Sequence, residues 1–287
     1  MYDRQKSFTF LRLLGSFLNT LAIFWPKMAG KLAFTLFATP RPATVKPAEA
    51  AFLATADRHT ETIAGQDFAV YHWGFRGPIV LLAHGWESHS GRWRKIAPEL
   101  VQAGYQVVAV DAPAHGRSSG RQFTMLHYAD VIRTLLQRLG PIDTIIAHSV
   151  GGAASIWAMG TAAPTLRPRK AVILAAFSAL QTVMDEARDK VGANDRMMEA
   201  LDAHIVRKFG EHIPFFSVAR MAERLSEVDG LLIHDRKDRV TKFSESEKLQ
   251  QAWPHAQLIA TEGFGHGLTA PAVVDIVLEF VLDKVSA

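Results

Sequence analysis

The spacing of apolar and polar positions changes character along the chain. From Phe8 to Phe37 Leu, Phe and Ala dominate, and Leu11, Leu14, Leu18, Leu21, Ala22 and Trp25 are spaced as on one face of a helix. Pro26 interrupts it, and Pro40, Pro42 and Pro47 in TPRPATVKPAEA mark a linker. The uncharged run from Leu13 to Pro26 is shorter than the roughly 20 residues that cross a bilayer, so a transmembrane helix is not predicted.

Farther on, short continuously apolar runs alternate with helical patterns. FAVYHWG (68–74) and IVLLAH (79–84) read as strands parted by Gly74, Gly77 and Pro78. RWRKIAPELVQAG reads as a helix ending at Gly104, YQVVAVDA as a strand, MLHYADVIRTLLQRLG as a helix ending at Gly140, and DTIIAHS as a strand. GGAASIWAMG starts the next helix, KAVILAA (170–176), GLLIHD (230–235) and AQLIATE (256–262) are strands, and VVDIVLEFVLDKV closes the chain as a helix.

Strands without polar alternation are buried on both faces. The prediction is an α/β protein with a mostly parallel sheet, helices on both faces, and ligands beyond the carboxyl ends of the strands. The stretch from Phe177 to Asp229 is too long for one loop. VMDEARDKV, RMMEALDAHIVRKF and FFSVARMAERL within it have helical spacing, which predicts a helical cap. The expected organisation is an N-terminal helical arm and linker (1–50), a core (51–176 and 230–287) and the cap (177–229).

Composition narrows the function. A chain of 287 residues, 48% hydrophobic, can bury a full core. The absence of cysteine excludes disulfides, a thiolate nucleophile and Cys-ligated metal or redox centres. It fits a reducing, cytoplasmic setting. Residues 1–47 hold seven basic residues against Asp3, a net +6, so the rest of a chain whose total is +4 carries −2. A basic stripe for nucleic acid on the main body is therefore disfavoured. The arm admits three readings. A helix pair docked on its own domain leads, ahead of a membrane-surface or dimer helix and of a signal sequence, for which PKMAGKLAF offers only a weak cleavage site.

The chemistry centres on IIAHSVGG (145–152), where one serine separates a buried strand from a glycine-led helix. Such a serine sits on a sharp turn that lifts its hydroxyl above the sheet edge. The residues two before and two after it, Ala147 and Gly151 here, must be small because strand and helix nearly touch. Taken singly, Ser149 could be a helix cap, His266 a loop histidine and Asp238 a solvated charge; their order and their places after successive strands carry the argument.

With HGW (84–86) after the early strand and DAPAHGRS (111–118) after the next, the chain resembles the α/β-hydrolase superfamily, most closely its capped serine esterase and lipase-like members, over roughly residues 62 to 284. The resemblance implies an eight-stranded, mostly parallel sheet and a chain order of nucleophile, acid and histidine. Ser149 falls at the nucleophile, and His266 alone of the 12 histidines follows the last predicted strand. HDRKDRV offers Asp235 and Asp238 as the acid; Asp238 is favoured because a position farther into the loop reaches across to the histidine. The backbone N–H groups of Trp86 and Val150 fall at the oxyanion donors, Gly85 allows close approach, His84 braces the loop, and Ala147, His148 and Gly151 complete the elbow.

The expected function is a serine hydrolase of carboxylic esters, esterase or lipase-like, working through an acyl-enzyme. A thioesterase, perhydrolase or C–C hydrolase would use the same triad, and a non-catalytic ligand- or partner-binding protein would share the fold. An aspartate nucleophile, as in dehalogenases and epoxide hydrolases, is argued against by Ser149. No cofactor and no metal are expected, since His115, His127 and His148 lack ligand spacing with carboxylates. Asp111 is read as bonding nearby backbone. Met184, Met197, Met198, Phe209, Phe215, Phe216 and Met221 could line an acyl pocket or pack the cap helices. Expected partners are a small ester or acyl substrate and, through the arm, a membrane surface.

Overall fold

The computed structural model describes residues 2–283. Eight strands form one sheet: β1 (Asp57–Ile63), β2 (Gln66–Trp73), β3 (Ile79–Ala83), β4 (Gln106–Val110), β5 (Ile142–His148), β6 (Lys170–Leu174), β7 (Asp229–Asp235) and β8 (Ala256–Thr261). Their order is β1-β2-β4-β3-β5-β6-β7-β8. β1 and β2 are antiparallel to each other and β2 to β4, whereas every pair from β4 to β8 is parallel.

The helices are α1 (Tyr2–Phe24), α2 (Pro26–Ala38), α3 (Pro47–Leu53), α4 (Ala97–Gln102), α5 (Met125–Arg138), α6 (Val150–Thr161), α7 (Leu180–Val191), α8 (Asp195–Phe209), α9 (Val218–Ala222), α10 (Phe243–Ala252) and α11 (Pro271–Val281). They divide between two compact units. One comprises the N-terminal residues up to Thr39 with Ala179–Ser217, and the other Pro40–Ser178 with Val218 onward.

In the second unit the sheet is apolar on both faces, as continuous Val, Ile and Leu runs require. Val80, Leu82, Val107, Ile146, Val172 and Leu231 on one face form a buried cluster with Trp93, with Ala97 and Leu100 of α4, and with Val273 and Val277 of α11. The opposite face meets α6 at β3 and β5 and α10 at β7 and β8. Lys170, buried at the start of β6, donates from Nζ to the carbonyls of Phe280 and Val281 (2.6 and 3.1 Å). It thereby satisfies two of the orphan carbonyls at the end of α11.

The registers bring functional loops to one edge. Ala83 pairs with Ala147, His148 with Leu174, Leu174 with Ile233, and Asp235 with Thr261. The loops after β3, β5, β7 and β8 therefore open side by side.

Four local expectations need correction. β1 has no apolar signature; as an edge strand it is mostly exposed and reads DRHTETI. Pro47 does not extend the linker but occupies the first turn of α3, where its missing N–H costs nothing. The helix expected over 92–104 is a 3₁₀ segment, Ser90–Lys95, followed by α4, with Pro98 in the first turn of the latter. FFSVARMAERL keeps only five helical residues, those of α9, after a 3₁₀ turn at Ile213–Phe215.

In the first unit α1 packs on α7 and α8, and α2 on α8. Two glycines set the spacing. A Cβ on Gly15 would strike the Val191 carbonyl, and one on Gly30 the Ala200 carbonyl. Asn19 completes the contact by donating from Nδ2 to the Gly192 carbonyl (2.9 Å) and accepting from the Asn194 N–H (2.9 Å). Of the apolar side chains proposed for an acyl pocket, Met184, Met197, Phe216 and Met221 are buried packing residues, while Phe215 is 42% exposed. Gly30→Val is expected to force α2 off α8 and destabilise the first unit by more than about 2 kcal/mol; thermal unfolding followed by circular dichroism measures it.

Candidate active site

Ser149 lies between β5 and α6 with φ +54° and ψ −125°, backbone angles that cost a non-glycine residue roughly 1–3 kcal/mol. The surroundings hold it there. Its N–H donates to the Leu174 carbonyl of β6 (2.8 Å), and its carbonyl accepts from Ala153 of α6 (3.1 Å). A Cβ on Gly151 would collide with the Ala83 and His84 carbonyls, so only glycine lets α6 start against the end of β3. Ala147 is fully buried and paired with both Ala83 and Ile173.

Ser149 Oγ lies 3.0 Å from His266 Nε2, and His266 Nδ1 lies 2.7 Å from Asp238 Oδ2. With Nδ1–H donating to the carboxylate, Nε2 is left as the acceptor for the serine hydroxyl. Asp238 Oδ1 accepts the N–H groups of Val240 (2.7 Å) and Thr241 (3.2 Å). Burial alone would raise the Asp238 pKa, but hydrogen bonds from His234, His266 and the Val240 N–H outweigh it and hold the carboxyl well below its ordinary value.

Asp235, three residues earlier, does something else. Its carboxylate accepts from the N–H groups of Lys237 (2.9 Å) and Phe264 (2.7 Å) and from the Thr261 hydroxyl (3.2 Å). Those bonds tie the end of β7 to the loop that carries His266. Burial pushes its carboxyl up, and the backbone donors of Phe264, Lys237 and Gly265 more than offset that, so its pKa is also lowered.

The loop after β3 is fixed by neutral histidines. His84 is wholly buried; its Nε2 accepts the Ala112 N–H (2.9 Å) and its Nδ1–H donates to the Gly85 carbonyl (2.8 Å). Burial lowers its pKa to about 3, so the ring stays uncharged. His115 accepts the Glu87 N–H at Nε2 (3.0 Å) and donates from Nδ1 to the Pro113 carbonyl (2.8 Å). Gly85 lies so close to the elbow that a Cβ there would sit 2.7 Å from His148 Nδ1 and 3.1 Å from Ser149 Cβ. Its smallness therefore serves packing against the elbow. Among the described residues, neither the Trp86 N–H nor the Val150 N–H has a hydrogen-bond acceptor.

Residues that sequence reasoning passed over also support the site. His234, buried on β7, places Nε2 3.2 Å from Asp238 Oδ2 and 3.0 Å from the Thr241 carbonyl, and bonds Ser246 Oγ through Nδ1 (2.7 Å). Its place in GLLIHD, at an inward position of a buried strand, is the one signal available. Beneath the loop that carries His266, Arg92 donates to the Gly267 carbonyl (2.9 Å) and Lys95 to the Thr269 carbonyl (2.8 Å), and His148, already expected at the elbow, donates from Nε2–H to the His266 carbonyl (2.8 Å). Burial first, with Arg92 and His266 nearby, keeps His148 uncharged. Burial also lowers Arg92, to about 9.

Asp111, at the end of β4, accepts from the Ser90 N–H and hydroxyl (2.8 and 2.7 Å) and the Arg117 N–H (2.9 Å), bonding local backbone as expected. Among the described residues no three His, Asp or Glu side chains gather as metal ligands. What the arrangement offers is a hydroxyl on a strained turn, an imidazole in a fixed tautomer, a buried carboxylate behind it and, among the described residues, two N–H donors without an acceptor.

Two outcomes follow from this packing. Ala147→Gly is expected to leave the rate at which a fluorophosphonate labels the Ser149 hydroxyl within about threefold of the parent, and Ala147→Val to lower it by about tenfold or more by crowding β5 against its neighbours; labelling kinetics decide. For Asp238 the folded pKa is depressed, so its carboxylate stabilises the fold above the unfolded value of about 3.9 and loses that contribution as pH falls toward the folded value. Asp238→Asn is therefore expected to be less stable than the parent in urea at neutral pH, with the gap narrowing below about pH 4.

A family model described as the alpha/beta hydrolase fold matches residues 78–203. A non-heme chloroperoxidase of Kitasatospora aureofaciens is 26% identical over 245 residues, covering 68% of this chain and 87% of its own. A bifunctional esterase/perhydrolase of Acinetobacter calcoaceticus is 25% identical over 262 residues, covering 73% and 93%. Among solved structures, a membrane phospholipase A described as a bacterial virulence factor superposes with a TM-score of 0.62 at 16% identity, over 97% of this chain and 98% of that one. Family model, relatives and strand order agree: the chain belongs to the α/β-hydrolase superfamily.

Proposed function

We propose that the protein is a serine hydrolase that cleaves carboxylic esters through an acyl-enzyme, with Ser149 as nucleophile, His266 as base and Asp238 as its partner. The observation that carries this reading is the continuous path from Ser149 Oγ to His266 Nε2 (3.0 Å) and from His266 Nδ1 to Asp238 Oδ2 (2.7 Å), starting at a positive-φ residue on the sheet edge.

As Ser149 Oγ attacks the ester carbonyl carbon, its proton passes to His266 Nε2, and Asp238 stabilises the imidazolium so formed. The carbonyl oxygen becomes an oxyanion held by the Trp86 and Val150 N–H groups. Collapse breaks the bond to the alkoxy oxygen, which leaves as the alcohol with the proton from His266. Water then gives a proton to His266 and attacks the acyl-serine, and the acid departs as Ser149 is reprotonated. His234 and the two backbone donors on Asp238 matter because a protonated carboxyl could not support the imidazolium.

The relatives favour one variation. One is named an esterase/perhydrolase and another a non-heme chloroperoxidase. Hydrogen peroxide in place of water as the attacking nucleophile on the acyl-serine would release a peracid by the same proton transfers, so peracid formation from short acids is assayed beside hydrolysis.

A fluorophosphonate probe is expected to label Ser149 in the parent and not in Ser149→Ala, read by mass spectrometry. Ser149→Ala is also expected to lower ester turnover by something on the order of 10⁴ to 10⁶. A folded parent that takes no label and turns over neither short- nor long-chain esters would favour a ligand-binding protein of the same fold.

A further inference from the structure

The helix α1 is apolar on two faces, and only one of them is covered. Leu18, Leu21 and Ala22 are buried on the inner face. Phe10, Leu13, Phe17 and Phe24, at steps of three, four and seven, form a second stripe in which every side chain is at least 55% exposed. The stripe continues through Trp25 (60%) and Met28 (52%) at the bend into α2. Among the described residues, nine of the fifteen exposed large apolar side chains lie between Phe10 and Phe37, about a tenth of the chain.

A concentration of this kind marks an interaction surface rather than the scattered exposure of an ordinary protein. We infer that this face of α1 and the α1–α2 bend docks on the surface of an anionic phospholipid bilayer, with Phe17, Phe24 and Trp25 entering the headgroup and upper acyl region.

Charge selects this occupant over a second copy of the chain. Residues 1–39, the N-terminal part of this unit, hold five basic residues against Asp3, a net +4. Lys27 and Lys31 are exposed on α2, and Lys31, Arg207 and Lys208 together surround His204, where burial first and then these three cations lower the histidine pKa. A symmetric dimer through this face would set that positive charge against itself. An anionic bilayer complements it and takes up the aromatic side chains as well. The helix lies along the surface in this arrangement, since no helix among the described residues is long and apolar enough to cross a membrane.

The test is co-sedimentation of the full chain with vesicles of phosphatidylcholine alone and of phosphatidylcholine mixed with phosphatidylglycerol. Binding to the mixed vesicles is expected to exceed binding to phosphatidylcholine by about tenfold or more and to weaken with salt. Phe17→Ser with Phe24→Ser, both at exposed positions, should lower binding about tenfold or more, and Lys27→Glu with Lys31→Glu should remove the preference for the anionic lipid. Phe75→Ser, at a site 72% exposed on the other unit, should bind like the parent. A blue shift of tryptophan emission on mixed vesicles should vanish in Trp25→Phe.

Equal binding by the Phe17/Phe24 and Phe75 variants would overturn the inference. So would a dimer in light scattering that the Phe17/Phe24 change splits, in a protein that ignores vesicles. Fluorophosphonate labelling of the same samples keeps the two proposals apart: vesicle binding without labelling defeats the hydrolase reading alone, and labelling without vesicle binding defeats this one alone.

Discussion

The close approach of three backbones at the end of the sheet is the constraint on which the site depends. β3, β5 and α6 meet where Gly151 faces the carbonyls of Ala83 and His84, and Gly85 faces the ring of His148. Inside that junction Ser149 has no room for ordinary strand or helix angles, and its φ of +54° is what remains. A strain of a few kcal/mol persists only when neighbours over-determine it. Here a parallel ladder fixes one side of the serine, through the Leu174 carbonyl, and the first turn of α6 fixes the other.

Around the junction the protein uses neutral histidines as rigid connectors. His84 and His115 each accept one backbone N–H and donate to one backbone carbonyl, so each ring has a single tautomer and neither needs a charge. His148 spends its Nε2–H on the carbonyl of His266 itself. An imidazole is large enough to span two loops and, when uncharged, cheap to bury. A lysine or arginine in the same places would bring a desolvation cost of several kcal/mol. The buried carboxylates are well supplied with donors, and each of Asp111, Asp235 and Asp238 meets at least three.

Much of this was legible in the sequence because the elements that position Ser149 are also the most apolar. β3, β5, β6 and β7 are continuous Val, Ile and Leu runs, and a residue immediately after such a run must lie at the sheet edge. Asp238 could be separated from Asp235 by reach alone. The register shows why: Asp235 is still inside the ladder opposite Thr261, so its carboxylate serves the adjoining loop, while Asp238 lies beyond it. β1 escaped detection because an edge strand needs no apolar period, and His234 and His115 did so because their partners lie 4 and 28 residues away in turns that no local pattern encodes.

The arm shows the opposite limit of periodicity. A helix apolar around much of its circumference announces that it has faces to cover, but not which face meets protein. The deciding signal lies in the smallest residues. Gly15 is on the same side of α1 as Leu18 and Ala22, and its missing Cβ is what admits the Val191 carbonyl of α7. Gly30 plays the same part on α2 against the Ala200 carbonyl of α8. Where small residues gather, backbones approach and the face is closed. Where Phe and Leu recur without them, as at Phe10, Leu13, Phe17 and Phe24, more than half of each side chain stays exposed, and the face is left for whatever lies outside the chain.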